Sequence, residues 1–200
     1  MSLLFETIKL YNGKLCNLFF HNERMNRARK ELFGAASKVD LEEILQIPEE
    51  NKIGLYKCRV IYDKVVRKIE WIEYVQRKID CVKVVKSNEI DYSYKYEKRE
   101  IFDSLKKKVN CRASEEILIV KNGFVTDTSY TNIVLFDGID WITPSNPLLN
   151  GTQREKLIVE RIIKEKPVRI EDLVKYESFK MINAMLEFED APTLSIQLIL

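Results

Sequence analysis

Apolar residues in the first part of the chain recur at two spacings, one typical of strands and one typical of helices. Runs rich in β-branched and aromatic residues predict strands over residues 3–9, 15–20, 53–63, 65–74 and 79–85. Helical spacing predicts helices over residues 21–33, 41–47 and 97–109, the first ending at Gly34 and the second N-capped by Asp40. Asn12-Gly13 predicts a hairpin between the first two strands, because both residues tolerate positive φ. The three runs between residues 53 and 85 predict an antiparallel meander.

The rest of the chain repeats this mixture of short strands and helices. Apolar runs predict strands over residues 116–120, 124–126, 131–136, 141–143 and 179–183. Helices are predicted from Gly151 to residue 163 and over residues 171–176, while residues 194–200 allow one more strand that the pattern does not place. The predicted fold class is α+β, with a small N-terminal lobe over residues 1–88 and a larger lobe over residues 89–200.

The composition predicts a soluble globular protein of the cytoplasm. Of 200 residues 46% are hydrophobic, enough for a sizeable core, and 6 Gly and 5 Pro argue against long disordered linkers. The net charge of +2 is too even to predict a nucleic-acid or anionic membrane partner. Four singly spaced cysteines and one histidine predict no metal site and reduced thiols. The sequence also lacks a signal-peptide pattern and an apolar run of membrane-spanning length.

Lys95 lies in an aromatic stretch, residues 91–99, just before a predicted helix. In a strand the tyrosines would share one face, and Asp91, Ser93 and Lys95 would share the other. An amine held on a rigid strand beside polar groups is typical of a Schiff-base lysine. An outward lysine on an edge strand is the simpler interpretation of these residues alone.

Three other local patterns have both a functional and a structural interpretation. Residues 150–154, Asn-Gly-Thr-Gln-Arg at a helix start, either bind phosphate through backbone N–H groups or form an ordinary capped helix. Residues 125–132 crowd a carboxylate, an amide and several hydroxyls between two apolar strands, which predicts a polar site or a hydrogen-bonded loop. Arg59, in an apolar strand, requires a carboxylate or a phosphate as its partner unless its face is exposed.

Taken together, these patterns occur in an order that resembles one enzyme family. The order runs through Phe5-Glu6-Thr7-Ile8, His21-x-x-Arg24, Cys58-Arg59-Val60, Lys95, residues 125–132 and residues 141–154. It resembles the class IV aminotransferases, the pyridoxal-phosphate enzymes that include branched-chain and D-amino-acid aminotransferases and aminodeoxychorismate lyase, over residues 3–186. The resemblance implies a D-amino-acid aminotransferase-like fold of two mixed α/β lobes, with antiparallel-rich sheets and a reduced small lobe.

The resemblance implies direct roles in the chemistry for two residues. Lys95 would form the Schiff base with pyridoxal 5'-phosphate and then transfer the substrate proton. Asp127 takes the position of the family's usual glutamate against the pyridine nitrogen, where a carboxylate keeps the ring protonated and therefore electron-withdrawing. Because Asp127 is one methylene shorter, it requires a closer ring. His21, near a helix start, is interpreted as structural.

The same resemblance implies a set of contacts to the cofactor. Arg59 would bind the phosphate group, helped by backbone N–H groups at the helix start. The other implied contacts lie in that helix start and in two polar loops: Gly151, Thr152, Gln153, Asn132, Asn183 and Ala184. Two departures affect specificity more than cofactor binding: Gly-Thr-Gln-Arg replaces Gly-Ile-Thr-Arg, and the tyrosine usual after the lysine is absent, with Arg99 and Glu100 nearby instead.

Three functions are compatible with this resemblance. The leading one is a lyase resembling 4-amino-4-deoxychorismate lyase, which releases pyruvate and forms 4-aminobenzoate for folate biosynthesis. The second is transamination of branched-chain or D-amino acids, in which the same lysine moves the proton. The third is a non-catalytic relative that only binds. The resemblance also implies a small-molecule amine substrate and a homodimer.

Overall fold

The first of two units in the chain is an antiparallel sheet covered by a long helix. The computed structural model describes residues 2–200, and within them this unit runs to Val75 and includes Tyr94–Lys98. Its elements are β1 (Leu4–Tyr11), β2 (Lys14–Leu15), α1 (Leu18–Phe33), α2 (Leu41–Ile44), a 3₁₀ turn (Glu49–Asn51), β3 (Leu55–Tyr62) and β4 (Val66–Glu73). The strands lie in the order β2-β1-β3-β4, and every neighbouring pair is antiparallel.

Local signals for turns and caps in this unit are confirmed. Asn12 and Gly13 adopt φ of 46° and 76°, as the predicted hairpin turn requires. Gly34 ends α1 in the left-handed region, and the side chain of Asp40 accepts a hydrogen bond from Glu42 N at 2.9 Å at the start of α2. These features depend on near neighbours only, which is why the sequence predicts them.

The strand predicted over residues 15–20 is wrong beyond Leu15. Helix α1 begins at Leu18, three residues earlier than predicted, and its buried face carries His21, Met25 and Ala28 at helical spacing. Met25 and Ala28 pack in one core with apolar residues of β1 and β3. Packing of this face therefore overrides the strand propensity of the apolar residues at the start of the helix.

The second unit holds the longer sheet, and comprises Gln76–Ser93 and Arg99–Leu200. Its regular elements are β5 (Cys81–Lys86), α3 (Glu100–Lys108), β6 (Glu115–Lys121), β7 (Phe124–Thr128), β8 (Asn132–Phe136), β9 (Trp141–Pro144), α4 (Thr152–Val159), β10 (Lys164–Lys166), β11 (Ser178–Ile182) and β12 (Leu194–Ser195). The path is β10-β9-β8-β7-β6-β5, with β11 pairing both β8 and β12. Most pairs are antiparallel, and only β5 with β6 and β9 with β10 are parallel.

The predicted meander is wrong at its third strand. β5 pairs in parallel with β6, and its Val82 belongs to the core of the second unit. Residues 76–88 therefore group with the second unit, whereas the predicted boundary lay at residue 88. Long-range pairing of this kind has no local signature, because a parallel partner must be reached through an intervening connection.

The strand predicted through the tyrosine stretch is also absent. Ser93 donates to Asp91 Oδ1 through both its backbone N, at 3.1 Å, and its hydroxyl, at 2.7 Å. This local turn competes with an extended ladder, and only an isolated bridge between Leu4 and Tyr96 remains. The tyrosines and polar residues therefore do not form the two predicted strand faces.

Two further differences concern the end of the chain. Helix α4 ends at Val159 rather than at residue 163, because Arg161 adopts a φ of 59° and Ile162 N donates back to Leu157 O at 2.9 Å. The tail is placed by β12 and by hydrogen bonds between Leu200 and strand β5. Within residues 2–200, no helix has both the length and the apolar character needed to cross a membrane.

Candidate active site

Lys95 lies beside the start of β1 in the first unit. Phe5 N donates to Lys95 O at 3.0 Å, and Glu97 N donates to Leu3 O at 2.9 Å. The lysine side chain is half-buried, and its Nζ lies 4.8 Å from the centroid of the Phe5 ring. The amine is therefore presented from a backbone that is hydrogen-bonded to β1, with its charged form stabilised by an aromatic face.

Arg59 lies over the same aromatic ring. Its guanidinium is 4.8 Å from the Phe5 centroid and pairs with Glu70 and Glu97, each at 3.3 Å. The sequence allowed either a carboxylate or a phosphate as the partner of Arg59, and the structure shows carboxylates. A guanidinium has five N–H donors and both contacts are long, so the predicted role in phosphate binding stays compatible with this arrangement. The structure thus brings two predicted site residues, Lys95 and Arg59, to one aromatic side chain.

The two carboxylates were not predicted as site residues. Glu70 stands directly opposite Arg59 across the β3–β4 pair. The predicted antiparallel meander carried this signal, since a tight connection between the runs 53–63 and 65–74 brings residues 59 and 70 close. Glu97 is separated from Lys95 by one residue, but nothing in the sequence indicated that it faces Arg59.

Beneath Phe5, the next residue of β1 anchors a buried polar network. Glu6 is 0% exposed and accepts hydrogen bonds from His21 Nδ1 at 2.7 Å and from Arg24 Nε at 2.9 Å. Burial alone would raise the pKa of Glu6, but the charge of Arg24 and the hydrogen bonds from His21 and Arg24 lower it to about 2. Burial lowers the pKa of His21, so its ring is neutral at pH 7 and its Nδ1 must carry the proton that Glu6 accepts. This geometry supports the structural interpretation of His21.

Asp127 is the buried carboxylate of the second unit. Asn132 Nδ2 donates to its Oδ1 at 2.8 Å, and Leu149 N donates to its Oδ2 at 2.9 Å. Burial raises the pKa of Asp127 to about 6, against the lowering effects of these hydrogen bonds and of the charge of Arg154. A carboxylate oxygen can accept two hydrogen bonds, so Asp127 can still receive a proton donor from a ligand. A carboxyl group that titrates near neutrality is typical of a functional site.

The raised pKa of Asp127 makes the stability of the cofactor-free protein depend on pH. The folded-state pKa lies above the ordinary value of 3.8. The contribution of the protonated Asp127 carboxyl group to the free energy of unfolding is therefore complete below pH 3.8 and is lost as the pH rises through about 6. We expect the free energy of unfolding to fall by about 3 kcal/mol relative to that of Asp127→Asn between about pH 4 and pH 7. Urea unfolding of both proteins across this range measures the change. A difference that stays constant with pH would contradict it.

Asn132 holds the carboxylate in place and is itself held by the segment that precedes α4. Its Nδ2 also donates to Leu149 O at 2.9 Å. A Cβ placed on Gly151 would lie 1.9 Å from Asn132 Oδ1. Gly151 has an ordinary φ of −71°, so glycine is required here for space and not for backbone conformation. Both residues were predicted to lie in the site, and the structure brings them into contact.

Replacing Gly151 with alanine tests this close approach. We expect Gly151→Ala to displace Asn132, to remove its hydrogen bond to Asp127 and to lower the free energy of unfolding by about 1–3 kcal/mol. Urea unfolding and titration with pyridoxal phosphate measure both consequences. Gly34→Ala is the matched control, because it strains a helix cap in the first unit with open space around its Cβ. Equal loss of cofactor affinity in the two variants would contradict the steric explanation.

The start of α4 offers backbone donors next to this group. The hydrogen-bond ladder of the helix begins with Glu155 N donating to Gly151 O at 2.9 Å. The N–H groups of Thr152 and Gln153 precede that ladder, and the positive end of the helix dipole lies with them. Both side chains are buried. This arrangement suits an anion, as predicted for the cofactor phosphate.

Asn183 and Ala184 form a tight turn after β11. Asn183 Oδ1 accepts hydrogen bonds from Met185 N at 2.8 Å and Leu186 N at 3.0 Å, and its Nδ2 donates to Tyr130 O at 3.4 Å. The turn thus contacts the loop between β7 and β8, which joins Asp127 to Asn132. A contact from residues 183 and 184 to the phosphate stays a prediction.

Comparison with known proteins places this chain in a family. Residues 66–189 match the family described as amino-transferase class IV. An uncharacterised protein from Haemophilus influenzae is 38% identical over 184 residues, which span 91% of this chain and 97% of that relative.

Solved structures show the same fold. A candidate 4-amino-4-deoxychorismate lyase from Haemophilus somnus is 32% identical with a TM-score of 0.84, over 94% of this chain and 98% of that chain. A hypothetical aminotransferase from Mycobacterium tuberculosis in its pyridoxal-phosphate-bound form is 15% identical with a TM-score of 0.77, over 96% of this chain and 80% of that chain. With its mixed α/β fold and antiparallel-rich sheets, the chain belongs to the class IV aminotransferases, a family of pyridoxal-phosphate enzymes.

Proposed function

We propose that this enzyme is a lyase that converts 4-amino-4-deoxychorismate into pyruvate and 4-aminobenzoate, with Lys95 as the proton-transfer residue. The observation that carries this choice within the family is the likeness to the candidate lyase from Haemophilus somnus, which spans nearly all of both chains at 32% identity. Transamination of branched-chain or D-amino acids is the alternative, supported by the aminotransferase names of more distant relatives.

The described residues of the second unit fit the ring and phosphate of pyridoxal phosphate. Asp127 is buried, 5% exposed, and both of its oxygens are already oriented by hydrogen bonds. The missing side chain at Gly151 leaves room for Asn132, which a Cβ would displace. Backbone donors at the start of α4 suit a phosphate dianion. The chemistry of this donor set therefore agrees with a cofactor that has a basic ring nitrogen and an anionic group.

The first unit supplies groups that complement an aldehyde and a phosphate. Lys95 provides the primary amine, and Arg59 provides a guanidinium whose side chain remains 27% exposed. Glu70 and Glu97 orient Arg59 by contacts of 3.3 Å, which a stronger bidentate anion can replace. Both cationic groups lie over Phe5, so their positions are linked by one side chain.

These residues suggest a division of labour in the reaction. When bound, pyridoxal phosphate supplies an electron-withdrawing ring conjugated to the carbon that bears the substrate amine. Lys95 Nζ would hold the cofactor, yield that position to the substrate amine, and take the proton from the amine-bearing carbon. The bond between the substrate ring and the oxygen of the three-carbon group would break as that proton is removed, and the same Nζ would return a proton to this group, which leaves as pyruvate. Asp127 would keep the proton on the ring nitrogen throughout.

Pyruvate release without an amino acceptor tests the proposal. Purified protein loaded with pyridoxal phosphate is mixed with 4-amino-4-deoxychorismate, and pyruvate and 4-aminobenzoate are measured in the absence of any 2-oxo acid. We expect the two products in equal amounts. Turnover that requires a 2-oxo acid and a branched-chain or D-amino acid would favour the transaminase, and protein that binds no pyridoxal phosphate would overturn both reactions.

We also propose that the enzyme is a homodimer, on the basis of its family resemblance. Sedimentation velocity of the cofactor-loaded protein measures the mass directly. A species of one chain, 23.6 kDa, at micromolar concentration would contradict the dimer.

A further inference from the structure

The loop between β7 and β8 is fixed by two ionic side chains of the second unit that the sequence did not indicate. We propose that Arg99, together with Glu116, is a positioning residue that holds the backbone of Ser129 and through it the pair Asp127 and Asn132. The inference rests on the proposed function of that pair. Neither ionic residue needs to touch the cofactor or the substrate.

Glu116 holds the N–H side of Ser129. Its carboxylate is 0% exposed, and its Oε1 accepts hydrogen bonds from Ile117 N at 2.9 Å and from Ser129 N at 3.3 Å. Its Oε2 pairs with Lys106 at 3.0 Å and with Arg77 at 3.4 Å. A buried carboxylate is retained only when such partners compensate for its lost hydration, so its position is strongly determined.

Arg99 holds the carbonyl side of the same residue. Its Nη2 donates to Ser129 O, while its Nη1 donates to the hydroxyl of Tyr92 at 3.1 Å. The guanidinium also lies 4.7 Å from the centroid of the Phe102 ring, in helix α3. With its plane set by an aromatic ring and a hydroxyl, the guanidinium has little freedom to follow a displaced loop. The backbone N–H of Ser129 is thus bound by the carboxylate of Glu116, and its carbonyl by the guanidinium of Arg99.

This double contact adds to the restraints on the loop, which also include the hydrogen bond from Asn183 Nδ2 to Tyr130 O at 3.4 Å. Strands β7 and β8 are paired only at Asp127 and Asn132, so no extended ladder fixes the residues between them. Inside the loop, Thr128 Oγ1 contacts Thr131 Oγ1 at 2.7 Å, which closes the turn but does not anchor it to the rest of the unit. The contacts of Ser129, together with the contact of Asn183 to Tyr130 O, provide that anchor. A shift of Ser129 therefore moves the carboxylate that is proposed to face the ring nitrogen.

Substitution of Arg99 tests the inference on the cofactor-loaded enzyme. Arg99→Met removes the donors but keeps a similar length, and we expect kcat to fall about 100-fold with little change in KM, since small misplacements of reacting groups have effects of this size. Arg99→Lys keeps one donor for Ser129 O and should recover kcat to within about tenfold of the unmodified enzyme. Arg169→Ala is the matched control, because it removes another arginine that lies over an aromatic ring of the same unit.

Two further measurements separate positioning from a general loss of fold. The pH midpoint of the visible absorbance of the bound cofactor should shift in Arg99→Met, because Asp127 is displaced from the ring nitrogen, and stay unchanged in Arg169→Ala. In a double-mutant cycle with Asp127→Asn, the added effect of Arg99→Met should fall below about tenfold, because both changes act through one group. Tyr92→Phe removes only the hydroxyl that orients Arg99 and replaces Arg99→Met in these experiments if that variant does not fold. It should lower kcat and shift the absorbance midpoint, as expected for Arg99→Met.

The outcomes distinguish this inference from the proposed function. If Arg99→Met keeps the kcat and the absorbance midpoint of the unmodified protein, the positioning role is overturned while the enzyme assignment stays intact. Additive effects in the double-mutant cycle would have the same consequence. Equal losses in Arg99→Lys and Arg99→Met would also overturn it, since a restored donor should restore the loop. Absence of cofactor binding or turnover in the unmodified protein would instead remove the proposed function itself.

Discussion

Lys95→Ala will abolish turnover and will lose the cofactor adduct that borohydride fixes on the unmodified protein. The primary amine is the group that both holds the cofactor aldehyde and moves the substrate proton in the proposed reaction, so no neighbouring residue replaces it. We expect kcat to fall by at least about a thousandfold, within the range that proton-transfer groups contribute by themselves. Mass spectrometry of the borohydride-treated protein should locate the reduced cofactor on the peptide that contains Lys95.

Lys98→Ala is the matched control for this experiment. Lys98 is exposed and only three positions further along the chain, so its loss should leave both turnover and the adduct unchanged. Lys95→Ala removes the ammonium over Phe5, an interaction of about 0.5–1 kcal/mol, so the variant should remain folded. A borohydride-fixed adduct on another lysine, with activity kept in Lys95→Ala, would refute the role of Lys95.

Glu6→Gln will destabilise the first unit more than any exposed substitution in it. Glutamine keeps the size of the side chain but removes the charge that compensates Arg24, which is buried and bonded to both carboxylate oxygens. Breaking a buried ion pair by removing one partner lowers the free energy of unfolding by about 3–5 kcal/mol. Urea unfolding at pH 7 measures the loss. Glu23→Gln, which affects an exposed pair with Lys38 at 3.8 Å, is the control and should change stability by less than about 0.5 kcal/mol.

The pH dependence of this loss provides a second test. The folded-state pKa of Glu6, about 2, lies below its ordinary value of 4.5. The stability that Glu6 contributes is therefore complete above pH 4.5 and is lost as the pH falls toward 2. The difference between the unmodified protein and Glu6→Gln should shrink by about 3 kcal/mol over this range. A difference independent of pH would mean that packing, and not charge, accounts for the destabilisation.

The two predictions meet at one strand, because Lys95 contacts Phe5 and Glu6 is the next residue of β1. Successive side chains of a strand point to opposite faces, so β1 presents Phe5 to Lys95 and Arg59, and presents Glu6 to His21 and Arg24. The buried network on one face therefore supports the strand that carries the aromatic contact on the other. We therefore expect a substitution at Glu6 also to weaken cofactor binding, because it loosens the strand that carries Phe5.

Local sequence signals predicted much of the fold but not the pairing of its strands. The Asn12-Gly13 turn, the cap at Gly34 and the N-cap at Asp40 all follow from residues that are adjacent in the chain. The parallel pairing of β5 with β6 and the turn at Asp91 and Ser93 were missed. In the first case the partner strand is distant, and in the second a side-chain hydrogen bond outweighed the strand propensity of the tyrosines.

By itself, the sequence determined which chemical groups are available: an amine between two tyrosines, one acidic residue in a polar loop and a glycine at a helix start, namely Lys95, Asp127 and Gly151. Only the tertiary structure decided which charges meet. Glu6 pairs with Arg24 across 18 positions, and Arg99 reaches the carbonyl of Ser129 across 30 positions. Such contacts are set by the packing of distant elements, because a buried charge takes whichever partner the fold brings within hydrogen-bond distance.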